Sequence, residues 1–286
     1  MKKHPQPPLL PSLLPIILSF QSIFAIDFVF NGFDPANTSL YGVATIQSRI
    51  LTLTNDTTFT IGRALYPSKI RTKEPNSSLV LPFSTSFIFS IAPYRDSLPG
   101  HGMVFLFVPF KGIKGASEGQ HLGFVNRTND GKSTNHLFGI EFDVFQNEEF
   151  GDINANHVGI NLNSLTSEEA QAAGYWPDNQ RNNDEKSFKE LKLNSGKNYQ
   201  VWIDYADFHI NVTMAPVGMK RPRKPLLNVP INLSWVLEEE IFSVCDVGTR
   251  RFSDENVIGI GGNGKVYKGV LVGVEVAMKR IVSGKQ

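Results

Sequence analysis

Between His136 and Asn163 the chain carries a pattern that few folds can accommodate. Phe138, Ile140, Phe142 and Val144 alternate with Gly139, Glu141, Asp143 and Phe145. A β-strand here puts its apolar residues on one face and two carboxylates with an aromatic ring on the other. Side chains two apart on one face of a strand lie roughly 6.5–7 Å from each other. A further Asp and an Asn arriving from the next loop crowd negative charge at the same spot, and a cation resolves that conflict.

The residue types fit such a cation. Glu141, Asp143, Asn147, Asp152 and His157 supply hard oxygens for Ca²⁺ and a mixed carboxylate and imidazole set for a transition ion such as Mn²⁺, with Asp143 and Asp152 able to bridge both. An isolated E-x-D reads better as a solvated strand end with a satisfied histidine nearby. The ordered series of five donors shifts the reading to metal. Carboxylates two apart on a jelly-roll strand also serve some glycosidases, as nucleophile and acid/base about 5–5.5 Å apart. Those enzymes add a Glu in phase, whereas the in-phase positions here are Phe145 and Asn147, and Glu148 and Glu149 fall beyond the strand. Binding therefore stands above hydrolysis.

From Asp27 to about Pro216 the chain is a succession of short β-type runs, among them Asp27 to Phe30, Ser84 to Ile91, Met103 to Val108, Phe138 to Phe145, Val158 to Leu162 and Tyr199 to Tyr205. Clusters of Gly, Asn, Pro and Ser separate them. No long amphipathic helix competes, although Ser167 to Ala173 reads as a helical turn or two. Many short strands with turns between them predict an all-β antiparallel sandwich or jelly roll. The 286 residues, 41% hydrophobic, suffice for a sizeable core. A formal net charge of +1 argues against a nucleic-acid partner. The single cysteine, Cys245, excludes an intramolecular disulfide and a Cys-rich zinc module. Lys220 to Lys224 reads as a solvated basic loop.

The N-terminus points to the secretory route. Lys2 and Lys3 precede an apolar stretch from Leu9 to Phe24, with the small Ala25 where a signal peptidase cuts, so residues 1–25 read as a signal peptide. Pro11 and Pro15 and its shortness argue against a bilayer span, and no other run approaches transmembrane length. Six N-x-S/T sequons, at Asn37, Asn55, Asn76, Asn126, Asn211 and Asn232, agree with an extracytoplasmic glycoprotein.

The series E-x-D-x-F-x-N-x4-D-x4-H, followed by Val158-Gly159-Ile160, resembles the metal-binding signature of legume lectins. Asp27 to Phe33, Gly100 to Phe105, Leu122 to Asn126 and Val201 to Tyr205 extend the resemblance across residues 26–240, which look most like the lectin ectodomain of plant L-type lectin receptor kinases. The resemblance implies a two-sheet, concanavalin-like jelly roll. It implies a transition ion on Glu141, Asp143, Asp152 and His157, and Ca²⁺ on Asp143, Asn147, Asp152 and the Phe145 carbonyl. It further implies a carbohydrate site in which the sugar packs on Phe145 and donates to the amide oxygen of Asn147, with His101 and Gln120 at two further contact positions. The family's soluble lectins have Asp and Gly at those two positions. A neutral imidazole accepts one hydrogen bond where a carboxylate accepts two, which points to a different glycan or an apolar ligand. Homodimerisation through the back sheet is also implied.

Beyond Glu240 the family continues with two more strands that this chain replaces with other sequence. Residues 241–258 read as a junction, and because losing paired strands exposes sheet edges and core, either the sandwich is marginal or this junction improvises a replacement. Residues 259–286 then resemble the opening of a protein kinase: Gly259-x-Gly261-x-x-Gly264-x-Val266, followed by Val276-Ala277-Met278-Lys279. Such glycines close the backbone over ATP phosphates and such a lysine pairs with them. The helix Glu, the catalytic-loop Asp and Asn and the metal-binding Asp of a kinase are not among these residues, so no phosphoryl transfer and no functional use of ATP is expected. The reading is a secreted or cell-surface lectin-like protein that is not an enzyme, its partner an extracellular glycan or glycoprotein. The alternative is a truncated or mispredicted product of a membrane receptor Ser/Thr kinase with a lectin ectodomain.

Overall fold

A computed structural model describes residues 32–54, 59–92, 100–178 and 188–243, together with the backbones of residues 244–249 and of two strands, Lys265–Val270 and Glu275–Arg280. Two antiparallel sheets face each other. The larger runs in the order Ser39–Gly42, Thr60–Leu65, Glu240–Thr249, Gly102–Val108, Phe138–Asp143, His157–Leu162 and Glu169–Ala172, with Ile70–Arg71 also pairing on Glu240–Thr249. The smaller runs Leu227–Pro230, His209–Pro216, Tyr199–Ala206, Phe83–Phe89, Lys265–Val270 and Glu275–Arg280. This is the expected all-β jelly roll, and the helices among the described residues are short 3-10 turns.

Alternation builds the interface between the sheets. Tyr199, Val201, Ile203 and Tyr205 point inward while Gln200, Trp202 and Asp204 point outward. Phenylalanines dominate the core: the rings of Phe87 and Phe105 stack with centroids 5.6 Å apart, and those of Phe89 and Phe142 lie 4.7 Å apart. Each fully buried side chain of this size contributes about 1.5–3 kcal/mol through water exclusion.

A second apolar layer covers the outer face of the larger sheet. Leu122, Phe124, Val125 and Leu137, from the long connection after Val108, pack on Val104, Leu106 and Val108. Strands Gly102–Val108 and Phe138–Asp143 are therefore buried on both faces rather than one. Arg63 lies wholly buried beneath that connection and donates from its guanidinium to the Gly112 carbonyl at 2.5 Å and to the Gly123 carbonyl. It pins both ends of the segment that carries Gln120.

Two expectations change, and a third is met. Residues 169–172 form an edge strand, Glu169 pairing with Ile160 and Ala172 with His157, and not a helical turn. So short a helix without a packed face cannot compete with ladder hydrogen bonds. The carboxylate strand ends at Asp143 rather than Phe145, because Val144 N donates to the His101 carbonyl and Phe145 N donates to Asp143 Oδ1, turning the chain into the next loop. The expectation that is met is the substitute after Glu240, since Glu240–Thr249 pairs with Thr60–Leu65 on one side and Gly102–Val108 on the other. Asp27 to Phe30, Gly259, Gly261 and Gly264 lie outside the described residues. Val266 and Lys279 are backbone partners in the final hairpin.

Replacing Arg63 with Met keeps volume but strands two covered carbonyl oxygens. The change should cost about 3 kcal/mol, read as a lower urea midpoint at unchanged slope.

Candidate metal and ligand site

The carboxylates sit where the larger sheet meets its loops. Glu141 and Asp143 lie on the carboxylate strand opposite Gly159 and His157 of the neighbouring strand, and all four face the same side. Glu141 is 2% exposed, Asp143 4% and His157 1%. Asp152, on the intervening loop, is partly buried. Donor atoms of Glu141, Asp152 and His157 all lie within 4.8 Å of one another. His157 Nε2 is 3.2 Å from Glu141 Oε1 and 3.9 Å from Asp152 Oδ1.

Supporting contacts fix these donors. His157 Nδ1 donates to the Asn154 carbonyl at 2.8 Å, which aims Nε2 at the acids. Asn161 Nδ2 donates to Glu141 Oε2 at 2.9 Å and Ser167 Oγ to Oε1 at 2.7 Å. Asp152 Oδ2 accepts from Asn147 N at 2.6 Å, so the loop closes on its own carboxylate. Gly159 makes the room: a Cβ there would stand 2.5 Å from Glu141 Oε1 and 2.1 Å from Ser167 Oγ. Sequence reasoning missed Asn161 and Ser167. The period-two run His157, Gly159, Asn161 was the available signal, since it puts three small or polar side chains opposite the acids.

Charge dominates the site. Burial, reinforced by the neighbouring Glu141, pushes the Asp143 carboxyl well above its usual range. Burial also raises Asp152. Burial alone would lower His157, but its hydrogen bond to Glu141 and the charges of Glu141 and Asp143 outweigh that and raise it to about 9. Three groups therefore hold protons more tightly folded than unfolded, as expected where negative charge lacks a cation. The oxygen and imidazole donors fit a hard or borderline divalent ion. Asp143, expected to bridge two ions, stands beside the trio with Oδ1 receiving Phe145 N at 2.6 Å.

The residues expected to touch a ligand lie next to this cluster. Asn147 Oδ1 faces His101 Nδ1 at 2.9 Å, and the His101 and Phe145 rings lie 4.7 Å apart. The amide oxygen read as a sugar acceptor is thus engaged by His101, itself buried, while Phe145 stays partly exposed. Gln120 donates its amide to Glu149 across the rim. Elsewhere, Asn37, Asn76 and Asn232 are exposed, Asn126 and Asn211 are partly buried and Asn55 lies outside the described residues. In the basic loop, Arg221 pairs with Asp204, and Lys224 Nζ stands 4.0 Å from the Trp176 ring centre. No helix of the described residues is long and apolar enough to cross a membrane.

Residues 25–245 match the legume lectin domain family. The chain is 44% identical to the L-type lectin-domain containing receptor kinase VII.1 of Arabidopsis thaliana, over 91% of this chain and 53% of that protein. It therefore spans about half the length of that kinase. A lectin-like protein of the same plant is 41% identical, over 79% of this chain and 86% of its own length. Among solved structures, peanut lectin superposes with a TM-score of 0.65 at 21% identity, over 91% of this chain and 99% of its own, and shows the fold.

Two outcomes are expected. Asp143, Asp152 and His157, with raised values, lend the metal-free protein stability at low pH. That stability is lost as pH rises through the raised carboxylate values and then through about 9 for His157. A metal ion must displace these protons, so Mn²⁺ affinity should climb with pH up to about 9, about tenfold per unit for each proton displaced. Calorimetric titration in buffers of different ionisation enthalpy measures the proton release. Separately, Gly159→Ala should weaken Mn²⁺ binding at least tenfold by displacing Glu141, read in the same titration.

Proposed function

This chain belongs to the legume lectin domain family, and from that premise we propose that it is a carbohydrate-binding protein of the cell exterior with a glycan site ordered by Ca²⁺ and Mn²⁺. The observation that carries the reading is the convergence of the Glu141, Asp152 and His157 donors beside the loop that presents Phe145 and Asn147. Glu141, Asp143, Asp152 and His157 would hold the transition ion. Asp143, Asn147, Asp152 and the Phe145 carbonyl would hold Ca²⁺. When bound, these ions supply positive charge that relieves the buried carboxylates and locks the loop.

The chain's own residues then shape recognition. Phe145 offers an apolar ring face to a sugar ring or another flat apolar surface. Asn147, anchored through its backbone to Asp152, presents its amide. His101, buried where the family's soluble lectins have an Asp, faces the Asn147 amide oxygen at 2.9 Å, and Gln120 with Glu149 forms a polar rim. Such a site favours stacking and single hydrogen bonds over chelation of a diol pair. Each element binds and none activates a nucleophile, so the protein works as a binder and not an enzyme.

The proposed organisation is a signal peptide at 1–25, the lectin domain at 26–240, a junction at 241–258 whose first residues complete the larger sheet, and a kinase-like segment at 259–286 without catalytic function, with homodimerisation through the smaller sheet. A second reading is favoured by the reach of the receptor-kinase match across 91% of the chain. In it, the same lectin module senses glycans for a membrane Ser/Thr kinase, and Gly259, Gly261, Gly264, Val266 and Lys279 belong to its ATP-binding lobe.

Screening the full chain on an immobilised oligosaccharide array tests the proposal. Binding should require Ca²⁺ and Mn²⁺, vanish with chelator and vanish in Asp143→Ala. Glycan binding that survives Asp143→Ala contradicts the mechanism.

A further inference from the structure

The segment Asn232–Leu237 is the corner at which the chain leaves the smaller sheet for the central strand of the larger one. It is unusually well held. Leu233 and Val236 are fully buried and Leu237 nearly so. Lys73 Nζ donates to the Ser234 carbonyl at 2.8 Å, and His136 Nδ1 donates to the Val236 carbonyl at 3.0 Å. On this fixed corner Trp235 is nevertheless 54% exposed, the most exposed tryptophan among the described residues. A large indole left in water on a rigid segment forfeits the burial energy that usually accounts for its presence.

Asn232 stands beside it and heads the sequon Asn232-Leu233-Ser234. It is exposed and caps the 3-10 helix Leu233–Trp235, its Oδ1 accepting from Ser234 N at 2.9 Å. The cap uses the oxygen. The amide nitrogen, the atom that an N-linked sugar occupies, makes no hydrogen bond to the described residues. Asn232 is the extended cap of this one-turn helix and Trp235 its last residue, both exposed, and at about 2 Å rise per residue the turn keeps their backbones about 6 Å apart, within the span of one sugar ring. Asn126 is the informative contrast, because its Nδ2 is already spent on the Gly115 carbonyl at 3.0 Å.

We propose that Asn232 carries an N-linked glycan whose first N-acetylglucosamine packs on the exposed face of Trp235, making the sugar a structural part of the corner. The acetamido methyl and the ring C–H groups supply an apolar face, and the indole supplies a flat partner. Because protein contacts already fix the corner, stacking orders little beyond the sugar. The cap survives modification, since the linkage leaves Oδ1 as an acceptor. Lys73 ties the turn bearing Asn76, a second exposed sequon, against the same corner. The proposal rests on the secretory reading of the chain.

The test is a double-mutant cycle on the full chain secreted from a eukaryotic host, with site occupancy read by glycopeptide mass spectrometry. Asn232→Asp removes the glycan but keeps the cap, because a carboxylate oxygen accepts from Ser234 N equally well. Trp235→Ala keeps the sequon. Each single change should lower the melting temperature by about 2–4 °C, and the double change should lower it no further than either alone. Trimming to the first sugar with an endoglycosidase should leave the melt unchanged. Asn232 unmodified while other sequons are occupied overturns the proposal, as do fully additive losses from the two substitutions. A secreted chain with no sequon occupied overturns it together with the secretory reading, and that result is distinguishable from the others.

Discussion

Two acidic side chains, Glu141 and Asp143, are folded into the interior of a sheet at 2% and 4% exposure, and much of the molecule is arranged around that constraint. Buried carboxylates are costly unless paired with positive charge or neutralised by a proton. Here burial raises Asp143 and Asp152, and the hydrogen bond and charge of Glu141 raise His157 against its burial, so the cluster favours a neutralising partner. The supporting geometry meets the same demand. Gly159 yields space, Asn161 and Ser167 donate to Glu141, and Asn154 turns His157 towards the acids.

The proposed ligand platform, Phe145 and Asn147, takes its geometry from this cluster. Asp152 receives Asn147 N and Asp143 receives Phe145 N, so both platform residues hang on backbone contacts to the carboxylates. His101 enters from the strand on the other side, its carbonyl receiving Val144 N and its ring meeting Asn147 and Phe145. The opposite rim depends on a different anchor. Arg63 holds the Gly112 and Gly123 carbonyls and thereby the segment that brings Gln120 to Glu149. Central pairing of Glu240–Thr249 holds the sheet beneath both.

The convergence of Glu141, Asp152 and His157 was legible because metal chemistry demands particular residue types at short spacings on one strand and the loop after it. Apolar alternation likewise exposed the sandwich, and the structure reproduces those main runs that fall within the described residues to within a residue or two. What escaped depends on distance in sequence. Arg63 reads as an ordinary strand residue until segments 49 and 60 residues away fold over it. Asn161 and Ser167 matter through register, which no local pattern fixes. Residues 169–172 carry Glu, Ala and Gln, good helix formers, yet edge pairing decides their state. The central strand after Glu240 was legible as a need for a replacement.

The central claim is that the buried acidic cluster is a metal site on which the sandwich and its ligand loop depend. Its most direct test is the melting temperature of the full secreted chain with Ca²⁺ and Mn²⁺ against the same chain in chelator at neutral pH. Saturating ions at about 100 times their dissociation constant should add about 2.7 kcal/mol, a rise of several degrees in a cooperative melt. Identical melting temperatures in the two conditions would contradict the claim and leave the protons, not a metal, as the native partners of Glu141, Asp143 and Asp152.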